Sequence, residues 1–145
     1  MIVTTNENQT TIKKSISLTG VGIHTGREVN LTFKPADADN GYTFTRIDLK
    51  DQPVIEANIK YVLNTDRGTC LNKNNVKIQT CEHVLAALVG LEIDNVKIEL
   101  DASEPPIMDG SSKVFVKALE SAGKKELNKK RKEFVVRDII SYKDS

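Results

Sequence analysis

Apolar and polar residues alternate with a period of two through the first half of the chain. Ile12, Ile16 and Leu18 share one face of a strand predicted over residues 11–18. Val29, Leu31 and Phe33 alternate with polar neighbours until Pro35, and residues 42–48 make a third strand. Between them, Asp39-Asn40-Gly41 supplies the positive-φ residues that hairpin turns use. Shorter β segments are expected at residues 67–71 and 76–79. At Thr80 the period lengthens. Val84, Leu88 and Leu91, joined by Leu85, form the apolar stripe of a helix over residues 81–91. Thr80 is its expected cap, and Glu82 falls in the first turn, where the helix dipole favours a carboxylate. His83, Ala87 and Gly90 line a second stripe whose last two members are small, open to close approach. Residues 95–100 read as another strand, with Val96, Ile98 and Leu100 on one side. Ser111 or Ser112 caps a second helix over residues 112–122, which buries Val114, Phe115, Ala118 and Leu119 and stops at Gly123.

Five or six strands with two main helices make an α+β fold: a two-layer sandwich of a small, mostly antiparallel sheet packed against the helices. Residues 1–123 form that lobe. Residues 124–132 carry six basic side chains and little that is apolar, and read as a charged linker. A strand over residues 134–140 follows, so residues 133–145 open something new that the chain does not continue.

The chain has 145 residues, 21 Lys and Arg against 20 Asp and Glu, and a net charge of +1, which excludes polyanion binding by bulk charge. No aromatic residue interleaves the basic run 124–132, so it is a solvated segment and not a nucleic-acid patch. Two cysteines, Cys70 and Cys81, are too few for a disulfide framework and not spaced as a CxxC pair. A reducing, cytoplasmic compartment is the expectation. No stretch approaches the ~20 apolar residues of a membrane span, and the first eight residues have neither the basic cap nor the apolar run of a signal peptide.

The chain contains two histidines, His24 and His83. Glu82 and His83 are consecutive on the helix and project about 100° apart. Residue 87 is Ala, so this is not the HExxH zinc arrangement. Taken alone, His83 is either a metal ligand or a half-buried histidine near a helix start. Cys81 sits where a helix N-terminus lowers a thiol pKa, which allows a nucleophile. Neighbours on a helix do not face one another, however, so His83 does not serve Cys81, and a packed structural cysteine is the simpler reading. The segment around His24 joins two strands and lacks the spacing of a dinucleotide fingerprint. It reads as a tight turn, of the kind that often carries site residues on a rigid scaffold.

Four segments together resemble one family. They are Gly20-Val21-Gly22-Ile23-His24-Thr25-Gly26, Thr80-Cys81-Glu82-His83-Val84-Leu85-Ala86-Ala87-Leu88, Gly90-Leu91-Glu92-Ile93-Asp94-Asn95 and Pro106-Ile107-Met108-Asp109-Gly110-Ser111. Their order and spacing resemble UDP-3-O-acyl-N-acetylglucosamine deacetylase, the zinc amidase that commits the lipid A pathway of Gram-negative bacteria, from residue 10 to residue 123. The resemblance implies a two-lobed α+β enzyme with its active site between the lobes. It implies that Glu82 is the general base and His83 one of three protein ligands to Zn2+, with UDP-3-O-acyl-N-acetylglucosamine as substrate. His24 matches a histidine near the active-site cleft, and residues 65–70, with Thr65 and Cys70 at their ends, fall on a loop that lines the substrate passage. Zinc would acidify a water whose proton the adjacent carboxylate takes.

The family's other zinc ligands, its proton donor and its oxyanion-stabilising threonine belong to a second lobe, in part within a His-Lys-x-x-Asp pattern. No histidine follows His83. The chain therefore resembles the first lobe, a linker and the opening strand of the second, and is expected alone to bind zinc weakly or not at all and to be inactive. Two other classes compete: a non-catalytic α+β binding or interaction module derived from the same lobe, and a thiol hydrolase using Cys81. On the deacetylase reading, Glu82 and His83 are expected on an open face, with Val84, Leu85 and Leu88 buried.

Overall fold

A computed structural model describes residues 1–143. Five strands form the central sheet: β2 (Ile16–Val21), β3 (Glu28–Pro35), β4 (Tyr42–Arg46), β5 (Val54–Glu56) and β9 (Val96–Leu100), in the order β2-β3-β9-β4-β5. Only the β4–β9 pair is parallel. Val29, Leu31 and Phe33 of β3 and Val96, Ile98 and Leu100 of β9 are sealed on one face. The other face is polar, with Lys34 and Glu99 paired at 2.7 Å across neighbouring strands. The buried face packs on α1 (Glu82–Gly90) and α2 (Lys113–Ala122), through Val84 and Leu88 of the first and Phe115 and Leu119 of the second. Phe33 and Phe115 meet edge to face with centroids 6.3 Å apart, a favoured aromatic geometry. The α+β two-layer sandwich expected from the periodicity is present.

Two smaller sheets flank this core. β6 (Val62–Asn64), β7 (Cys70–Lys73) and β8 (Val76–Ile78) form an antiparallel meander entered by a 3-10 turn at Ile59–Tyr61. β1 (Ile2–Ile12) pairs with β10 (Lys124–Phe134) in a two-stranded antiparallel ribbon. The described residues thus hold ten strands, against the five or six expected.

Several local expectations are corrected. The strand predicted over residues 11–18 is two strands of different sheets, because residues 13–15 turn the chain between β1 and β2. The basic run 124–132 is the body of β10 and not a loose linker. Its backbone pairs with β1, and its charges are matched by acids: Lys129 pairs with Asp39, and Arg131 lies 3.0 Å from both Glu7 and Asp94. Of the strand expected over residues 134–140, only Phe134 is in a strand, as the end of β10; residues 135–143 form none, although Met1 and Val135 exchange one more pair of backbone hydrogen bonds. Residues 144–145 lie outside the described part. Ala87 is enclosed in the core, so the small-residue stripe on α1 is open only at Gly90.

The third quoted motif explains how the ribbon is held. Asn95, 1% exposed, donates to Gln9 Oε1 and to the Thr10 carbonyl, and its own carbonyl accepts from Thr11 Oγ1. Asp94 accepts from Thr10 N–H at 2.7 Å and pairs with Arg131. Residues 92–95 are therefore the socket for β1 and β10, at the end of α1 away from Glu82 and His83.

Candidate active site

The other three motifs meet at the start of α1. Glu82 and His83 open the helix, both half-buried, while Val84 and Leu88 are buried and Leu85 is half-buried. The pair is less open than expected, because the 67–69 segment lies against Glu82. The Thr69 N–H donates to Glu82 Oε2 at 2.8 Å. Gly68 has φ +143°, which calls for glycine, and a Cβ there would stand 2.9 Å from Glu82 Oε1 and crowd the carboxylate. Among the described residues nothing hydrogen-bonds to the His83 ring, which leaves its nitrogens free to meet a ligand.

Thr80 does not cap the helix. Cys81 is the N-cap residue and makes no side-chain capping bond. Thr80 instead adopts φ +52° and sends its hydroxyl to Glu104 Oε1 at 3.0 Å. Glu104 is fully buried. Both its oxygens accept from the His24 N–H, at 3.2 and 3.1 Å, and Oε2 also accepts from the Thr25 N–H at 3.0 Å. Burial pushes the Glu104 carboxyl up. Bonds from the Thr25 and His24 N–H groups and from the Thr80 and Thr25 hydroxyls outweigh burial and hold the carboxyl below the ordinary glutamate range. Behind this carboxylate, the Ile107 N–H donates to the Val21 carbonyl, and Pro106 and Met108 pack where a Cβ on Gly20 would stand.

The His24 side chain is exposed, and its Nε2 lies 3.3 Å from the Arg67 carbonyl oxygen. Residues 67–69 are thus bracketed by His24 on one side and Glu82 on the other. A pocket of about 400 Å³ opens beside them, and His24, Gly68, Cys70 and Thr80 line it together with Arg67 and Lys77. Thr65 is exposed and its neighbours Asn64 and Asp66, not Thr65 itself, face the pocket. The structure therefore brings His24, Cys70 and Glu82 to one place and leaves Thr65 aside.

The thiols are unpaired and buried. Burial, and after it the neighbouring Glu82 charge, pushes the Cys81 thiol up to about 12. Its sulfur hydrogen-bonds to the Thr69 carbonyl. A thiol so placed is not ionised near neutrality and is no nucleophile. Burial raises Cys70 as well. The thiol-hydrolase alternative has no support in this geometry.

A Glu–His pair thus opens α1, faced by the Gly68 segment and near an open pocket in an α+β lobe. The family model for UDP-3-O-acyl N-acetylglycosamine deacetylase matches residues 9–145, and the chain belongs to that family. It is 48% identical over 135 residues to the bifunctional enzyme LpxC/FabZ of Chlorobaculum tepidum, covering 93% of this chain and 29% of that protein. It is 46% identical over 137 residues to the UDP-3-O-acyl-N-acetylglucosamine deacetylase of Idiomarina loihiensis, covering 94% of this chain and 45% of the relative. The deacetylase of Geotalea uraniireducens is 41% identical over 136 residues, with 94% and 44% covered. The chain thus spans less than half the length of these relatives. Among the described residues, no helix is long and apolar enough to cross a membrane.

Proposed function

We propose that this chain is the N-terminal part of a zinc-dependent deacetylase that hydrolyses the acetamide of UDP-3-O-acyl-N-acetylglucosamine, releasing acetate in the committed step of lipid A synthesis. Its first lobe includes β10, which pairs with β1 as far as Phe134, and the second lobe lies beyond that strand. The observation that carries the reading is the Glu82 carboxylate at the start of α1. One oxygen is anchored by the Thr69 N–H, while the other faces Gly68, where the absence of a Cβ leaves space. Glu82 in this setting is a general base: it accepts a proton from a water through the free oxygen while the anchored oxygen fixes its direction. His83, next in sequence, offers an imidazole to whose ring nothing hydrogen-bonds among the described residues. His24, Cys70 and residues 66–68 face the substrate across the pocket, and Thr65 lies outside it. The two unpaired thiols favour a reducing, cytoplasmic setting.

A catalytic zinc takes three protein donors and keeps an open position. Among the described residues no group of three or more His, Cys, Asp or Glu comes together. These residues therefore do not by themselves fit the ion, and the family's zinc chemistry needs donors from outside them. The proposal is accordingly of a half-site, inactive alone. Purified 145-residue chain, loaded with zinc and dialysed, is expected to retain no stoichiometric metal by mass spectrometry and to release no acetate from UDP-3-O-acyl-N-acetylglucosamine. Turnover that disappears in Glu82→Ala would overturn the half-site reading. The alternative, a non-catalytic binding module, requires instead that the nucleotide sugar bind with an affinity unaffected by Glu82→Ala and His83→Ala.

A further inference from the structure

We propose that Glu104 is the positioning residue of this site: its carboxylate sets the His24 loop in register with the turn that launches α1. The inference rests on the reading of Glu82 and His83 as site residues and adds a group outside that pair. His24 and Thr80 lie on segments 56 residues apart, and among the described residues no direct hydrogen bond joins residues 22–26 to residues 79–83. Glu104 is the bridge. It receives two backbone N–H groups from one segment and a hydroxyl from the other, while Gln79 N–H donates to the Ser103 carbonyl beside it.

The chemistry suits a carboxylate. Two oxygens with no donor of their own accept the His24 and Thr25 N–H groups and the Thr80 and Thr25 hydroxyls at once, which no hydroxyl can do. Burying a carboxylate away from any cation is costly, so a group that served packing alone would be better replaced by an apolar side chain. Gly22 is shaped to the same purpose. A Cβ there would stand 2.5 Å from Glu104 Oε2 and 3.1 Å from Cδ, and would also strike Thr25 Oγ1. Thr80 accepts a positive φ, a conformation uncommon for a β-branched residue, and in it presents its hydroxyl to Glu104. A glycine and a strained threonine, from opposite segments, both accommodate one carboxylate.

Glutamine separates register from charge. With its oxygen toward the His24 and Thr25 N–H groups and its amide donating to the Thr80 hydroxyl, Glu104→Gln preserves every bridge. Glu104→Ala removes them. Gly22→Ala displaces the carboxylate without altering Glu104, and its backbone has no positive φ to strain. The test is amide hydrogen exchange by NMR on the 145-residue chain, with the contact between the His24 ring and the 67–69 segment read from nuclear Overhauser effects. In Glu104→Ala and Gly22→Ala, the His24 and Thr25 amides are expected to exchange about ten- to hundredfold faster. The His24 ring should lose its contact with residues 67–69, while the β3 and β9 amides keep their rates. Glu104→Gln should hold the His24 and Thr25 rates within about threefold of the parent chain. If Glu104→Ala does not fold, the Gly22→Ala and Glu104→Gln pair carries the comparison. Unchanged His24 and Thr25 exchange in Gly22→Ala would overturn the proposal. So would a uniform acceleration across β3 and β9, which marks general stabilisation, or a Gln variant as fast as the Ala variant. The exchange readout is independent of catalysis, so its failure is distinguishable from a failure of the deacetylase reading.

Discussion

Replacing Gly68 by alanine places a methyl group against the carboxylate assigned as the base. At φ +143° an L-residue is strained by about 1–3 kcal/mol. The new Cβ would stand 2.9 Å from Glu82 Oε1 but at an ordinary 3.5 Å from the Thr80 Cα, so the carboxylate, not the backbone, gives way. Moving it breaks the 2.8 Å bond from the Thr69 N–H, a charge-assisted contact of about 1.5–3 kcal/mol. Glu82 is half-buried and regains water, so the combined loss is about 2–4 kcal/mol. Gly26→Ala is the control: Gly26 has φ +63° with nothing within 4 Å of a Cβ, and only the conformational cost of about 1–2 kcal/mol applies. Urea unfolding followed by circular dichroism, with unchanged slopes, measures both. The Gly68 variant should be the less stable by about 1–2 kcal/mol, the share of the Glu82 bond, and its Thr69 amide should lose exchange protection. Equal destabilisation by the two variants with Thr69 still protected would refute the reasoning.

Three further outcomes follow from the geometry. With its thiol pushed up to about 12, Cys81 should resist iodoacetamide at neutral pH in the folded chain and react only in denaturant; rapid native labelling at Cys81 would contradict its assignment as structural. Asp48 is held below the ordinary aspartate range first by its hydrogen bonds from Arg46. The stability it contributes is full above the unfolded aspartate pKa and is lost as pH falls through the lower native value, so Asp48→Asn should flatten the acid limb of the stability-pH curve. Asp94→Ala removes the acceptor for Thr10 and Arg131 and should accelerate β1 amide exchange while β3 keeps its rates; equal acceleration in both would show that the ribbon is not docked through Asp94.

What was legible in the sequence follows from burial. β3 and β9 alternate because one face is sealed by α1 and α2 and the other is wet, so Val29, Leu31, Phe33, Val96, Ile98 and Leu100 announce the sheet. β1 and β10 carry no such signal. Most of both strands is polar on either side, and they are held by backbone pairing and by the contacts of Asp94 and Asn95 with Gln9, Thr10 and Arg131, made 37 to 86 residues away in sequence. A basic run reads as solvated unless its acidic partners are known. The end of β10 at Phe134 likewise depends on pairing with Ile2, not on the apolar residues that continue past it. At the candidate site, Glu82 and His83 stand out in the sequence by helix position and by motif order. Glu104 was missed, because a glutamate ahead of two prolines looks like any loop acid until its distant donors are brought to it. The one available signal was Gly22, whose missing side chain marks a close approach.

Acetate release from a joined polypeptide tests the central claim most directly. Residues 1–145 of this chain can be fused to the part of the Idiomarina loihiensis deacetylase that lies beyond its 137 matched residues. The fusion should deacetylate UDP-3-O-acyl-N-acetylglucosamine where the 145-residue chain does not, and Glu82→Gln should lower kcat by about 10²–10⁴-fold with KM little changed, as loss of a general base does. A folded, zinc-loaded fusion that releases no acetate, or one whose kcat is indifferent to Glu82→Gln, would contradict the assignment of Glu82 as the base.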